Sequence, residues 1–299
     1  MAARDVDGPS KVTSPDETRG TNVTAKKPAT ETGAFLGEFP YVRLGNGPEK
    51  LVILPGLTLE NEPPSRLEAW TYRLGFGRFA ERHSVYVIKR RRGMPPHYTT
   101  RDMAADYARV MEEELGPSRV MGFSTGGSIA QYVALDHPEL VEKLILVVTA
   151  SRLSEEGRAT CERWRRLAHA RLWRELRADM ASVNVTGEAN KRLAGAFMKV
   201  FGRFVLGEPS DPSDFLTTLE ADLGHDTTAR LPELSSPILV IGGSEDPFFP
   251  ESLLRETAGK IPDAQLRVYE SVGHGVPKER KRRYERDALA FLDEQSLSA

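Results

Sequence analysis

One serine set among glycines is the feature of this sequence that most suggests chemistry. In "MGFSTGGSIAQ", residues 121–131, Ser124 lies between Gly122 and Gly126, and Gly127 follows. The apolar-led run Arg119-Val120-Met121 precedes it, and a helix-like run from Ser128 to Leu135 comes after. A serine hydroxyl is a poor nucleophile near neutral pH. It needs a base to take its proton, an acid to orient the base, and donors for the oxyanion that forms. A sharp strand-to-helix turn lifts the hydroxyl clear of a sheet and sets the next N–H at a helix N-terminus, where the dipole favours negative charge. Such a turn crowds its own backbone, and glycines on either side of the serine relieve that crowding. Ser124 is therefore the candidate nucleophile.

The base is sought among six histidines. His83 lies in a polar turn, His97 follows two prolines, His137 precedes Pro138 at a helix end, and His169 and His225 fall in a helix-rich block. His274 differs. It follows a β-like run in "SVGHGVP", bracketed by Gly273 and Gly275, which let a loop carry an imidazole close to other backbone. The acid is expected after a strand between serine and histidine, and "ILVIGGSEDPFFP" supplies Asp246, fixed in a turn by Pro247. The preceding apolar run ends in "VVTASR", without a carboxylate. The expected triad is Ser124, Asp246 and His274, in that chain order.

The elements that must position these residues are readable from hydrophobic period. Short β-rich runs fall at 41–44, 51–54, 85–88, 119–121, 143–148, 238–241 and 265–269. Helical patterns separate most of them: 101–115, with Thr99 or Thr100 as cap, then 128–135, 251–260 and 280–292. Alternating strands and helices predict an α/β fold, a mainly parallel sheet covered by helices on both faces. Between 151 and 230 the strands stop. Helices are expected there at 154–182, 188–205 and 212–223, as a cap inserted into the core formed by 35–150 and 231–299. The polar stretch 1–34 has almost no large apolar residue and is expected to be a disordered tail.

Composition narrows the classes. The chain has 299 residues and a formal net charge of −2, which recommends no nucleic-acid partner. The single cysteine, Cys161, excludes an intramolecular disulfide and suits a reducing compartment, so a cytoplasmic location is expected. No apolar run is long enough to span a bilayer, and no membrane partner is expected. "GFGRF" lacks the third glycine of a dinucleotide fingerprint. With no Walker loop, H-E-x-x-H or Cys/His cluster, neither metal nor cofactor is expected. The basic run "KERKRR", 278–283, reads as a solvated helix face. Oligomeric state is not readable.

Taken together, "LVILPGL", "VYVIKRRRGMP", the long segment from "MGFSTGG" to "LILV", "ILVIGGSEDPFFP" and "GHG" resemble the α/β-hydrolase fold superfamily from about Tyr41 to Leu292. The resemblance implies a small-molecule substrate, a helical cap over the site, and an oxyanion hole made by the backbone N–H groups of Leu57 and Thr125. It also implies an esterase-like serine hydrolase working through an acyl-enzyme. Thioester, lactone, amide or C–C cleavage, acyl transfer and perhydrolysis use the same groups. A ligand-binding sensor with slow turnover, or a lyase, remains open on the same fold. Two departures stand out. Pro55-Gly56 replaces the frequent His-Gly of the oxyanion turn, and Arg90 stands where many members carry Asp. Arg90, Arg91 and Arg92 lie at the C-terminal end of a strand, where an anionic substrate or an ion-paired loop would each account for them. Thr58, Phe248, Phe249 and Val276 are the candidate pocket lining. Trp164, Trp173, Phe197, Phe201 and Phe204 are candidates to face an acyl chain from the cap, or to hold its helices together.

Overall fold

The computed structural model describes residues 30–206, 209 and 211–294. Its strands are β1 Thr30–Phe35, β2 Phe39–Leu44, β3 Glu49–Leu54, β4 His83–Ile88, β5 Ser118–Phe123, β6 Val141–Val147, β7 Ile238–Gly243 and β8 Gln265–Tyr269. The helices are α1 Arg66–Phe76, α2 Thr100–Val110, α3 Thr125–Asp136, α4 Glu155–His169, α5 Trp173–Ser182, α6 Glu188–Leu206, α7 Ser213–Gly224, α8 Glu251–Lys260, α9 Val276–Glu279 and α10 Lys281–Asp293. All eight strands form one sheet in the order β1-β2-β4-β3-β5-β6-β7-β8. Strands β3 to β8 run parallel to one another, and the pairings β1–β2 and β2–β4 are antiparallel.

Period-two alternation decides which face each strand residue serves. Val52, Leu54, Val120, Leu144, Leu146 and Val240 pack on one side, with Met103 and Tyr107 of α2, Ile129 and Val133 of α3, and Leu254 of α8. Their neighbours Leu51, Ile53, Met121, Ile145, Val147, Leu239 and Ile241 pack on the other, with Ala69 of α1 and Tyr284, Ala288 and Phe291 of α10. Both faces are covered, which is why these strands read as nearly continuous apolar runs. Because β3 to β8 are parallel, the loops after β3, β4, β5, β7 and β8 leave from the same sheet edge.

The expected strands and most helices are present, and the differences have local causes. Residues 30–34 belong to the expected tail, yet Thr30–Phe35 pairs antiparallel with β2 from Thr30↔Leu44 to Phe35↔Phe39. This edge strand is largely exposed, so it shows no hydrophobic alternation, and backbone pairing and the Phe35–Tyr41 ring stack at 4.2 Å hold it. The rest of the expected tail, 1–29, lies outside the described residues. Helix α1 carries a start signal that the hydrophobic pattern hid: Ser65 Oγ accepts from the Glu68 N–H, and Leu67, Trp70 and Leu74 are exposed. The helix expected over 154–182 breaks before α5, where Arg171 takes a left-handed φ of 54°. Thr99 caps α2 in a reciprocal box with Asp102. Four helices, α4 to α7, occupy the interval between β6 and β7.

Candidate active site

The turn from β5 into α3 makes the first half of the site. Ser124 has φ 49° and ψ −121°, a left-handed conformation that a non-glycine residue adopts only when its surroundings enforce it. They do so by close approach. A Cβ on Gly122 would lie 2.5 Å from the Gly126 carbonyl oxygen, and one on Gly126 would lie 2.1 Å from that of Leu54. Only glycine fits either position, and the two glycines let the elbow press against β3. The first turn of α3 then closes back on the serine, whose carbonyl accepts from the N–H groups of Gly127 and Ser128 at 2.7 and 3.1 Å.

Two further loops of that sheet edge complete the array. After β7, Asp246 is buried at 1% exposure, and its Oδ1 accepts from the N–H groups of Phe248 and Phe249 at 2.9 and 3.2 Å. Those bonds fix the carboxylate as an acceptor for the imidazole. After β8, His274 places Nδ1 2.7 Å from Asp246 Oδ2 and Nε2 3.0 Å from Ser124 Oγ. The consistent assignment has Nδ1–H donating to Asp246 and Ser124 Oγ–H donating to Nε2. The Phe248 and Phe249 rings lie 4.9 and 6.1 Å from the imidazole and wall one side of it. A hydroxyl, a neutral imidazole and a buried carboxylate in this order can move a proton from serine to histidine while the acid steadies the resulting cation.

The loop after β3 lies directly against the elbow. A Cβ on Gly56 would stand 3.5 Å from Ser124 Cβ, and Leu57 and Thr125 flank the serine in the cavity wall. Arg90, at 2% exposure, holds this loop from beneath. Its guanidinium donates to the carbonyls of Pro55 and Gly56 at 3.1 and 3.0 Å and to Thr58 Oγ1 at 2.8 Å. The rest of the basic run is ion-paired: Lys89 with Glu68, Arg91 with Glu38 and Arg92 with Glu62. The cations expected as candidates for an anionic substrate are thus engaged with the protein. Sequence reasoning flagged Arg90 as a departure but had no signal for its three partners.

A cavity of about 350 Å³ opens over Ser124 and His274. Its wall is mostly apolar, with Tyr72, Phe76, Phe123, Val148, Trp164 and Phe249 prominent. Phe248 and Phe249 are where the sequence suggested. Thr58 and Val276 do not line the cavity. The Thr58 hydroxyl is tied to Arg90 and Asn61, and Val276 is fully buried among Val272, Tyr284 and Ala288 in the core on the opposite face. Of the five aromatics expected to face an acyl chain or hold helices together, Trp164 reaches the cavity, Trp173 is buried in the core, and Phe197, Phe201 and Phe204 are exposed, the last by 80%. The sequence offered no sign of Asp222 on α7, a buried carboxyl in the cavity wall whose Oδ2 accepts from Thr125 Oγ1 at 2.5 Å. Among the described residues a possible metal-ligand grouping, Glu112, His137 and Glu139, lies outside the cavity wall, its two carboxylates exposed.

Known proteins share this architecture. The family model described as alpha/beta hydrolase fold matches residues 75–280. A putative carbamate hydrolase, RutD, of Caulobacter vibrioides is 27% identical over 212 residues, covering 68% of this chain and 75% of that protein. A 2-hydroxy-6-oxononadienedioate/2-hydroxy-6-oxononatrienedioate hydrolase of a Pseudomonas species is 28% identical over 198 residues, covering 63% and 68% of the two chains. Among solved structures, the enol-lactonase of Burkholderia xenovorans LB400 superposes with a TM-score of 0.70 at 20% identity, over 88% of this chain and 100% of its own.

Proposed function

From the premise that this chain belongs to the α/β-hydrolase fold family and is a hydrolase of that family, we propose that it cleaves a small carboxylic ester or related acyl substrate through an acyl-enzyme on Ser124. The observation that carries the reading is the hydrogen-bonded series Ser124–His274–Asp246, at 3.0 and 2.7 Å, open to an apolar cavity.

In this mechanism Ser124 Oγ attacks the carbonyl carbon as its proton passes to His274 Nε2. Asp246 keeps the Nδ1–H tautomer and offsets the imidazolium charge. The oxyanion forms beside the N–H groups of Leu57 and Thr125, the latter at the N-terminus of α3, where the helix dipole adds to the stabilisation. His274 returns its proton to the leaving group as the C–O bond breaks. Water, deprotonated by His274, then releases the acid and restores the serine. The relatives' names cover different scissile bonds, so the shape and polarity of the cavity govern which acyl group is taken. The single cysteine, buried at Cys161, supports a reducing compartment such as the cytoplasm.

A fluorophosphonate probe and a panel of p-nitrophenyl esters test this reading. The wild type is expected to label at Ser124 and to hydrolyse at least one ester. Ser124→Ala should not label and should lose turnover by about 10⁴-fold or more, with an unchanged melting transition. Labelling of the alanine variant at the wild-type rate would remove Ser124 from the role.

A further inference from the structure

One surface of the molecule has no part in the mechanism above. Leu193, Phe197, Val200, Phe201 and Phe204 stand at i, i+4, i+7, i+8 and i+11 of α6, so they form one stripe along the helix. All five are exposed, from 48% at Phe201 to 80% at Phe204, while Met198 is buried on the opposite side. Single exposed apolar residues are ordinary, but a continuous stripe marks a surface that meets something else. The charge around it is as uneven. The chain as a whole has a formal net charge of −2, yet residues 163–204 hold ten Lys and Arg against three Asp and Glu. On α6 itself Lys191, Arg192, Lys199 and Arg203 stand against Glu188 alone. Arg192, Lys199 and Arg203 follow at i, i+7 and i+11, in a row between the packed side and the apolar stripe. Lys191 pairs with Glu188, whereas Arg192 and Lys199 are exposed and engage no carboxylate among the described residues.

We propose that this face of α6 docks the protein on an anionic lipid surface, with the Phe-rich stripe at the acyl–headgroup boundary and the flanking cations among the headgroup phosphates. The inference goes beyond the serine-hydrolase reading and does not depend on it. A helix lying in the plane of an interface has this make-up: aromatic and aliphatic side chains on one face, with Lys and Arg beside them on long stems that reach to the headgroups. Charge complementarity selects the occupant. A second copy would meet the patch with the same patch and set one cationic row near another. An acidic protein would satisfy the charge, but the outer side of a helix is a convex ridge and gives such a partner no pocket for an anchoring side chain. A fluid bilayer closes around a ridge. Docking is distinct from spanning: no helix among the described residues is long and apolar enough to cross a membrane. The expectation of no membrane partner rested on that length, which a helix lying in the interface does not need.

Vesicle flotation of the full chain tests the proposal. Phosphatidylcholine vesicles with about 30% phosphatidylserine should bind the protein about tenfold or more tightly than phosphatidylcholine alone, and the difference should shrink as salt is raised. Phe201→Ser with Phe204→Ser should weaken binding to the anionic vesicles by about tenfold or more, and Arg192→Gln with Lys199→Gln by a similar factor. Both pairs of changes fall at exposed positions and should leave the melting transition as in the wild type. Failure of the wild type to bind anionic vesicles, or equal binding to both compositions, overturns the proposal without recourse to any variant. Binding that survives the two serines overturns it as well, because the stripe would then have no part. Two further measurements on the wild type identify the other occupants. A concentration-dependent dimer in sedimentation velocity, lost in the serine variant and without vesicle binding, would make the face an interface between copies. Capture by polyglutamate but not by vesicles would make it a site for an acidic protein, and either result overturns the lipid reading.

Discussion

Arg90 does work that its neighbours in the chain do not. All four residues of the run Lys89-Arg90-Arg91-Arg92 are cationic, yet three of them pair with carboxylates and Arg90 meets only neutral oxygens. Its fork spans Pro55, Gly56 and Thr58, so one rigid planar group sets the path of the loop that carries the Leu57 N–H. Lysine keeps the charge but has no fork and cannot hold the carbonyls in fixed relation. Arg90→Lys is expected to lower kcat by about 10- to 100-fold with little change in KM, because a small displacement of the proposed oxyanion donor would be felt chiefly in the transition state. Steady-state kinetics on the best ester check this. A rise in KM at constant kcat would instead mean that Arg90 supports ground-state binding.

At the level of elements, the helices between β6 and β7 divide their apolar residues between two surfaces. Trp164 of α4 is anchored by its Nε1–H, which donates to Asp179 Oδ2 at 2.7 Å, and its ring lies 5.5 Å from that of Phe248. Met180 and Val183 join it on the cavity wall. Helix α6 turns the other way. Leu193, Phe197, Val200, Phe201 and Phe204 share one exposed face, while Met198 is buried on the packed side. Helical period alone showed that α6 has apolar faces and could not show which one meets the protein. Trp164→Leu should therefore shift preference toward bulkier acyl groups, read as the kcat/KM ratio of long- to short-chain p-nitrophenyl esters. Phe201→Ser with Phe204→Ser should leave that ratio unchanged. An equal shift from both changes would place α6 in the substrate path and refute the division.

For the whole molecule, stability toward acid has an identifiable source where α7 meets α2 and α3. His225, which caps α7, is buried with Nδ1 3.3 Å from Thr100 Oγ1 and its ring edge-on to Tyr132 at 5.5 Å, so it binds α7 to α2 and α3. Burial lowers its pKa to about 4, against the opposing pull of Asp226 and a hydrogen bond with the Ala150 backbone. The folded state thus holds the neutral form. Its contribution is complete above the ordinary histidine value of 6.5 and is lost as pH falls from there through about 4. The full shift corresponds to about 3 kcal/mol. Asp222 acts in the opposite sense: its raised pKa favours the protonated fold at low pH, a benefit lost as pH rises through about 6. The difference between wild type and His225→Gln isolates the histidine. The glutamine variant is expected to lose less Tm than the wild type between pH 7.5 and pH 5, measured by thermal denaturation in parallel. Identical slopes would show that His225 is not the acid-sensitive group.

The sequence by itself determined the parts of this protein whose signals are local. Gly122 and Gly126 announced a strained elbow because close backbone approach excludes any side chain there. The apolar runs of β3 to β7 announced a sheet buried on both faces, and Asp246 and His274 were legible as polar residues just past strand ends. Pairing β1 with β2, choosing the exposed face of α6, seating Val276 in the core and spending Arg90 on three loop oxygens were decided only by tertiary structure. Each depends on what lies across from a residue in space, and no spacing along the chain encodes that. Asp222 is the clearest case. In sequence it is one acid in a helix, and it becomes a buried group beside Ser124 only because α7 folds back over the N-terminus of α3, nearly a hundred residues earlier, where the hydrogen bond to Thr125 joins positions 97 residues apart.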